Sequence, residues 1–489
     1  MFRIDTPTLI FVRRLFIYKV VLMSVLLSVQ TQAQNTIHPA SAEYIYPQDE
    51  LVAKNLENWR DQKFGIIIHW GLYAVPGIIE SWTLCNEDWI YRDSTSNYND
   101  YKKWYWGLNK SFNPTKFNPE SWAAAAKSAG MKYVVFTTKH HDGFNMFDTQ
   151  FSDFKISKGP FETNPRADVA KYVFEAFRKE NFLIGAYFSK PDWHSQYFWW
   201  NRYATPNRNV NYDIRKNPWR WNQYVNFTHN QLNELTSNYG NIDIVWLDGG
   251  WVRPKNTVTA EVIKWGAPIP EFDMHVDMPK IAKKMRENQP GVLIVDRTVH
   301  GPFENYRTPE QGIPNDKSED PWESCITLGG AWGYVPNDKF KSAETVVHTL
   351  IEIVAKGGNL LLGVGPTAEG EFLPEQISRL EEIGEWTSKF GEAIYGTRTM
   401  ETFKSGEVYF TKSKGQYAYA LLNLSKENPL ANVVTWEGNI PKKGSKVYLL
   451  GNSKPLRWKT EGSLTKVWLT KAQLKDNLSE PAVAFKFKY

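Results

Sequence analysis

From residue 40 onward, short apolar runs alternate with segments of helical spacing. The runs are FGIIIHWG (64–71), YVVFTTKHH (133–141), FLIGAYFS (182–189), DIVWLDGG (243–250), GVLIVDR (291–297) and GNLLLGVGPT (358–367). Apolar positions within them are nearly continuous rather than alternating, the pattern of parallel strands covered on both faces. Between them, PESWAAAAKSAG (119–130) and ADVAKYVFEAFRKEN (167–181) read as helices. In the second, Val169, Tyr172, Val173 and Phe177 share one face at i, i+3, i+4 spacing. Residues 226–239 and 279–288 predict two more. Repeated strand–helix units of this kind build either a (β/α) barrel or a doubly wound sheet. No G-x-G-x-x-G follows the first strand, which weakens the dinucleotide-binding version. A barrel also explains why His69, His140, His141, Asp248 and Arg297 cluster at the C-terminal ends of the runs, the rim where barrel enzymes assemble their sites.

The pattern changes near residue 398. GEVYFTKSKGQYAYALLNL, VVTWEGNI, SKVYLLG, KVWLT and AVAFKFKY are short strands separated by Gly, Pro, Asn and Lys turns. They predict a small antiparallel β-sandwich. The expected organisation is therefore a leader over 1–33, a catalytic TIM-like barrel domain over 34–397 and a β-sandwich domain over 398–489. The fold class is α/β, and no internal repeat stands out.

The leader rests on VVLMSVLLSV (20–29), preceded by Arg13, Arg14 and Lys19 and followed by Thr31-Gln32-Ala33. That order of basic, apolar and small-residue segments predicts a signal peptide cleaved after Ala33, hence export to the periplasm or the exterior. The run is too short to span a bilayer, and no cysteine follows it for a lipid anchor. Without residues 1–33 the formal charge falls from +5 to +2, no case for a nucleic-acid or membrane partner. Cys85 and Cys325 are the only cysteines, too few for a disulfide framework, and two independent buried thiols are expected. Aromatic content of 15%, with 21 Trp, tilts slightly toward sugar, because flat indole faces suit pyranose rings.

Asp248 is the leading chemical candidate: it closes an apolar strand and is followed by Gly249-Gly250, which would leave room beside it for a ligand. The alternative is an Asp accepting backbone N–H bonds in a turn. A retaining glycosidase needs a second carboxyl about 5–5.5 Å from the first. Glu304, Glu310, Asp316, Glu319, Asp320 and Glu323 all lie downstream, and spacing does not choose among them. His140 and His141 border one ligand only where their strand has already broken. Sugar binding, metal ligation by a barrel hydrolase and a structural role compete for them, with His69 tilting toward function.

Together these segments resemble the α-L-fucosidases of glycoside hydrolase family twenty-nine. The resemblance runs from about Trp59 to Thr397. It rests on KFGIIIHWGLYAVPG, FNPTKFNPESWAAAAKSAGMKYVVFTTKHHDGF, DVAKYVFEAFRKENFLIGAYFS, DIVWLDGGW, PWESCITLGGAWGY, GGNLLLGVGPTAEGEF and IGEWTSKFGEAIYGTR, in that order. It implies a retaining exo-glycosidase acting on terminal α-L-fucosides of glycans, with no cofactor and no metal. Asp248 then matches the nucleophile. His69, His140, His141, Tyr187, Trp246 and Arg297 match sugar contacts. Glu310, in VHGPFENYRTPEQG, matches the acid/base, with Glu323 in PWES as runner-up in a segment that looks like a barrel strand. The segment GIIESWTLCNEDWIYRD departs from the family's pocket wall, leaving Glu80 or Glu87 to fill that role. A metal-dependent barrel hydrolase and a fucose-binding lectin are the competing classes.

Overall fold

The computed structural model describes residues 43–92 and 96–489, so the leader over 1–33 lies outside the described residues. Seven strands form one parallel sheet: β1 (Phe64–Ile68), β2 (Tyr133–Lys139), β3 (Leu183–Ser189), β4 (Ile244–Asp248), β5 (Leu293–Asp296), β6 (Glu323–Thr327) and β7 (Asn359–Gly363). Their order is β5-β4-β3-β2-β1-β7-β6. Each of the six apolar runs supplies one strand, and PWES supplies β6.

The continuous hydrophobicity has a simple cause. Successive side chains on a strand point to opposite faces, and both faces are dry. Ile67, Val135, Trp246 and Val295 join the cluster inside the barrel, while their neighbours Ile66, Val134, Val245 and Ile294 pack in the outer layer with the helices. The helix Val169–Lys179 buries Val169, Val173 and Phe177 as its spacing predicts. The next helix, Pro218–Asn238, starts eight residues before the expected 226, because Pro218 suits a first turn and Trp221 and Tyr224 extend the buried face.

Between β5 and β6 no regular strand closes the barrel. Residues 303–311 do so instead. Asp296 N–H donates to Phe303 O and Asn305 N–H to Ile294 O, both at 2.9 Å, so the segment descends beside β5. It turns at Tyr306, whose ring stacks on Trp59 at 3.8 Å. It then climbs beside β6, where Glu323 N–H donates to Arg307 O (2.8 Å), Cys325 N–H to Pro309 O (3.1 Å) and Gln311 N–H to Cys325 O (2.9 Å). Glu310 rides on the climbing arm.

The remaining strands are β8 (Thr397–Ser405), β9 (Val408–Ser413), β10 (Tyr417–Asn423), β11 (Val433–Glu437), β12 (Val447–Leu449), β13 (Pro455–Glu461), β14 (Leu464–Trp468) and β15 (Ala482–Lys488). They form a single antiparallel sheet in the order β11-β14-β13-β12-β15-β10-β9-β8. This sheet curls on itself. Trp436 of β11 packs on Phe410, Phe485 and Phe487, and Asn439 Nδ2 donates to Thr402 O at 2.6 Å, bringing the two edges together. The two layers expected of a sandwich are thus one folded-over sheet. It docks on the helices Ala343–Ala355 and Pro374–Phe390 through His348 Nε2 to Pro481 O (2.7 Å) and Trp386 Nε1 to Ala482 O (2.8 Å).

Candidate active site

Asp248 is the last residue of β4, and its side chain is 17% exposed into a cavity of about 180 Å³ at the C-terminal ends of the strands. Its Oδ2 accepts from the Tyr187 hydroxyl at 2.7 Å and its Oδ1 from Arg297 Nη1 at 2.9 Å. Burial pushes this carboxyl up, but the Arg297 charge and the Tyr187 hydrogen bond outweigh it and hold it below the ordinary carboxylate range. Gly250 lines the cavity, and both glycines also permit close packing. Gly249 has φ 87, and a Cβ there would meet Pro191 Cδ at 2.1 Å. A Cβ on Gly250 would meet Thr298 Oγ1 at 2.0 Å.

The three histidines converge on this carboxylate. His69 follows β1, and His140 and His141 follow β2, whose register to β3 already shifts between Thr137 and Lys139. That break lets adjacent side chains share one pocket: the His140 and His141 rings lie 4.3 Å apart. His141 Nε2 is 3.7 Å from Asp248 Oδ2, and its Nδ1 pairs with Ser189 Oγ at 2.7 Å. His140 Nδ1 pairs with Ser81 Oγ, and His69 Nδ1 is buried without a partner. Burial lowers all three, His140 to about 4, so each ring is neutral at neutral pH. Tyr187 is fully buried; its ring lies beside those of His69, His140 and Trp246, and its hydroxyl is engaged by Asp248. Trp246 lines the cavity with the Arg297 guanidinium 4.3 Å above its ring.

A second carboxyl faces the same cavity. Glu310, with its side chain 38% exposed, accepts from Arg297 Nη2 at 2.9 Å and from Trp332 Nε1 at 3.3 Å. One guanidinium therefore spans Asp248 and Glu310, with its Nε donating to Thr308 Oγ1 at 3.1 Å. Glu323 sits elsewhere. As the first residue of β6 it lies deep in the barrel, unexposed, bonded to the Tyr133 hydroxyl (2.6 Å) and Trp246 Nε1 (3.2 Å), and burial raises it to about 7. It does not line the cavity.

The variable wall divides its two acids. Glu80 lines the cavity, accepting from the backbone N–H groups of Trp332 (2.8 Å) and Gly333 (2.9 Å), and burial raises it to about 7. Glu87 lies behind, pairing with Arg208 Nε (2.8 Å) and Nη2 (2.6 Å). Arg208 reaches the cavity with its guanidinium 4.8 Å from Trp82 and 5.1 Å from Trp251. Arg208, Trp251, Trp265, Thr298 and Trp332 escaped the sequence reading. Of these, Trp251 and Trp332 stand in the quoted motifs, DIVWLDGGW and PWESCITLGGAWGY. Cys85 and Cys325 are both free and buried. Among the described residues, no group of three or more His, Cys, Asp or Glu is arranged to hold a metal ion.

The α-L-fucosidase family model matches residues 31–392. The chain belongs to the α-L-fucosidase family. It is 28% identical to bovine tissue α-L-fucosidase over 430 residues, 83% of each chain, and 28% identical to the human tissue enzyme over 432 residues, 84% of each. Its fold is similar to that of α-L-fucosidase isoenzyme 1 from Paenibacillus thiaminolyticus, with a TM-score of 0.71 and 29% identity over 90% of this chain and 99% of that one. The α-fucosidase of Thermotoga maritima, solved with a mechanism-based inhibitor, gives 0.69 and 26% over 91% and 100%. This α-L-fucosidase-family chain is therefore a glycoside hydrolase with a TIM-like barrel. Among its described residues, no helix is long and apolar enough to cross a membrane.

Proposed function

We propose that the protein is a retaining exo-glycosidase that releases terminal α-L-fucose from glycans, with Asp248 as nucleophile and Glu310 as acid/base. The observation that carries this reading is the single guanidinium of Arg297 joining both carboxylates in a cavity of one-sugar size. In the first step, Asp248 Oδ attacks the anomeric carbon while Glu310 gives its proton to the departing glycosidic oxygen, leaving a covalent fucosyl-enzyme. In the second, Glu310 takes a proton from water, whose oxygen displaces Asp248 and restores the original anomeric configuration. Asp248 suits the first role because its environment keeps it ionised.

The neutral histidines suit hydroxyl recognition, since each can donate from one ring nitrogen and accept at the other. The unpartnered Nδ1 of His69 is a polar atom that a sugar hydroxyl would satisfy. Trp246 and Trp332 give the apolar surface that the C6 methyl of fucose requires. The Thermotoga maritima enzyme has also been solved in complex with fucose, at 25% identity and a TM-score of 0.68 over 91% of this chain and 100% of that one. With the leader over 1–33, the reaction belongs in the periplasm or outside the cell.

Asp248→Gly tests the assignment. Hydrolysis of an aryl α-L-fucoside should fall by at least about a thousandfold, and azide should restore part of it by taking the nucleophile's place. Near-normal turnover by the unrescued variant would refute the role. Metal-dependent hydrolysis, the competing class, would instead show as loss of wild-type activity to a chelator.

A further inference from the structure

Behind the cavity wall lies a buried polar network that the double displacement does not use. It begins at the turn carrying Arg297. Val299 N–H donates to Asp296 O at 3.1 Å, closing a turn whose third residue, Thr298, has φ 60. A positive φ at that position normally calls for glycine. A β-branched residue there is an outlier that its surroundings must hold in place. Thr298 N–H donates to Glu304 Oε1 at 3.1 Å, and Arg253 Nη2 donates to Thr298 O (2.9 Å) and Oγ1 (3.2 Å). Both holders are buried, Arg253 at 5% exposure and Glu304 at 3%.

The holders are themselves braced. Arg253 Nε donates to Gly250 O, two residues past Asp248, and its guanidinium lies 5.1 Å from the Trp265 ring. Glu304 Oε2 pairs with His300 Nδ1 at 2.6 Å, and His300 Nε2 is 3.4 Å from Glu261 Oε2 on the helix Ala260–Lys264. The hydrogen bonds to Glu261 and Glu304 raise His300 to about 9 against burial and the nearby Arg307, so its ring donates from both nitrogens at neutral pH. On the other side of the turn, Lys190 Nζ bonds Asp296 and reaches Val252 O at 2.8 Å. The turn is thus held at Thr298 by Arg253 and Glu304 and at its first residue, Asp296, by Lys190.

We propose that Arg253 and Glu304 are positioning residues that hold Thr298 in its left-handed conformation and so aim the Arg297 guanidinium at Asp248 and Glu310 together. The inference rests on the roles given above to those two carboxylates. Thr298 is bonded directly to Arg297, so a relaxed φ at Thr298 redirects the chain that carries the guanidinium. Glycine would need no holding, but it would lack the Oγ1 that Arg253 grips and that abuts Gly250. Once Arg297 moves off, burial dominates at Asp248 and its carboxyl titrates upward.

The test uses Arg253→Lys, which keeps the charge and loses the fork. Its kcat/KM on an aryl α-L-fucoside should fall about tenfold or more, since small misplacements in a site are costly. The acid limb of its pH profile should move to higher pH. Adding Thr298→Gly should restore much of both, because glycine adopts positive φ unaided. A folded Arg253→Lys enzyme with a wild-type profile overturns the proposal, as does a loss of activity with no limb shift and no rescue by glycine. If Arg253→Lys melts or aggregates, Glu304→Gln carries the same comparison. Wild-type enzyme that does not cleave the fucoside at all would instead defeat the functional reading on which this one rests.

Discussion

At Asp248 burial and charge pull in opposite directions, and the outcome decides what the residue can do. A carboxyl this enclosed would normally resist ionisation, but Arg297 Nη1 at 2.9 Å and the Tyr187 hydroxyl at 2.7 Å reverse that. Glu323 bonds no cation among the described residues, and burial raises it to about 7, in the direction wanted of an acid but away from the cavity, walled in by Tyr133 and Trp246. Position therefore favours Glu310 over Glu323 in the proposed acid role. Glu310→Ala should slow a fucosyl disaccharide by about a hundredfold or more, while an aryl fucoside with a good leaving group loses far less in its first step. Equal losses on the two substrates would return the acid role to Glu323. Asp248, Arg297 and the histidines were legible because each closes or follows an apolar strand at the barrel rim, where a functional role stands beside a turn-forming or structural one. Arg208 was not, because it lies in a segment without periodicity and gains meaning only from Glu87, Trp82 and Trp251, which are distant in sequence.

Among the elements, the strands were readable and the closure was not. A strand dry on both faces leaves a continuous apolar run, and those runs gave six of the seven strands. Residues 303–311 descend and then climb, so they have no single period to detect, yet they close the barrel and carry Glu310. The loop after β4 illustrates a second limit. Gly249-Gly250 suggested space for a ligand, and Gly250 does line the cavity, but the pattern did not show that the pair also permits close approach of Pro191 and Thr298. Gly250→Ala should accordingly destabilise the fold by about 1–3 kcal/mol, the usual cost of overpacking, and reduce turnover with it. Thr298→Ala, which removes the clashing Oγ1, should recover part of the melting temperature in the double variant. Independent, additive effects of the two substitutions would show that the contact is not responsible.

In the whole molecule, the barrel mouth and the C-terminal sheet are separate assignments. The sheet docks on helices Ala343–Ala355 and Pro374–Phe390 through Pro481 and Ala482, and among the described residues the cavity lining runs from His69 to Trp332. The cavity therefore belongs to the barrel, whose rim gathers Asp248 from β4, Arg297 from the turn after β5 and Glu310 from the closing segment. The test that bears most directly on this arrangement is covalent trapping. The enzyme would be incubated with a 2-deoxy-2-fluoro-fucosyl fluoride, whose fluorine at C2 slows both steps while its good leaving group keeps the first fast enough for the covalent intermediate to accumulate, then digested and sequenced by mass spectrometry. A single fluorofucosyl adduct on Asp248 is the predicted result. An adduct on another residue, or no adduct together with a product of inverted anomeric configuration, would contradict it.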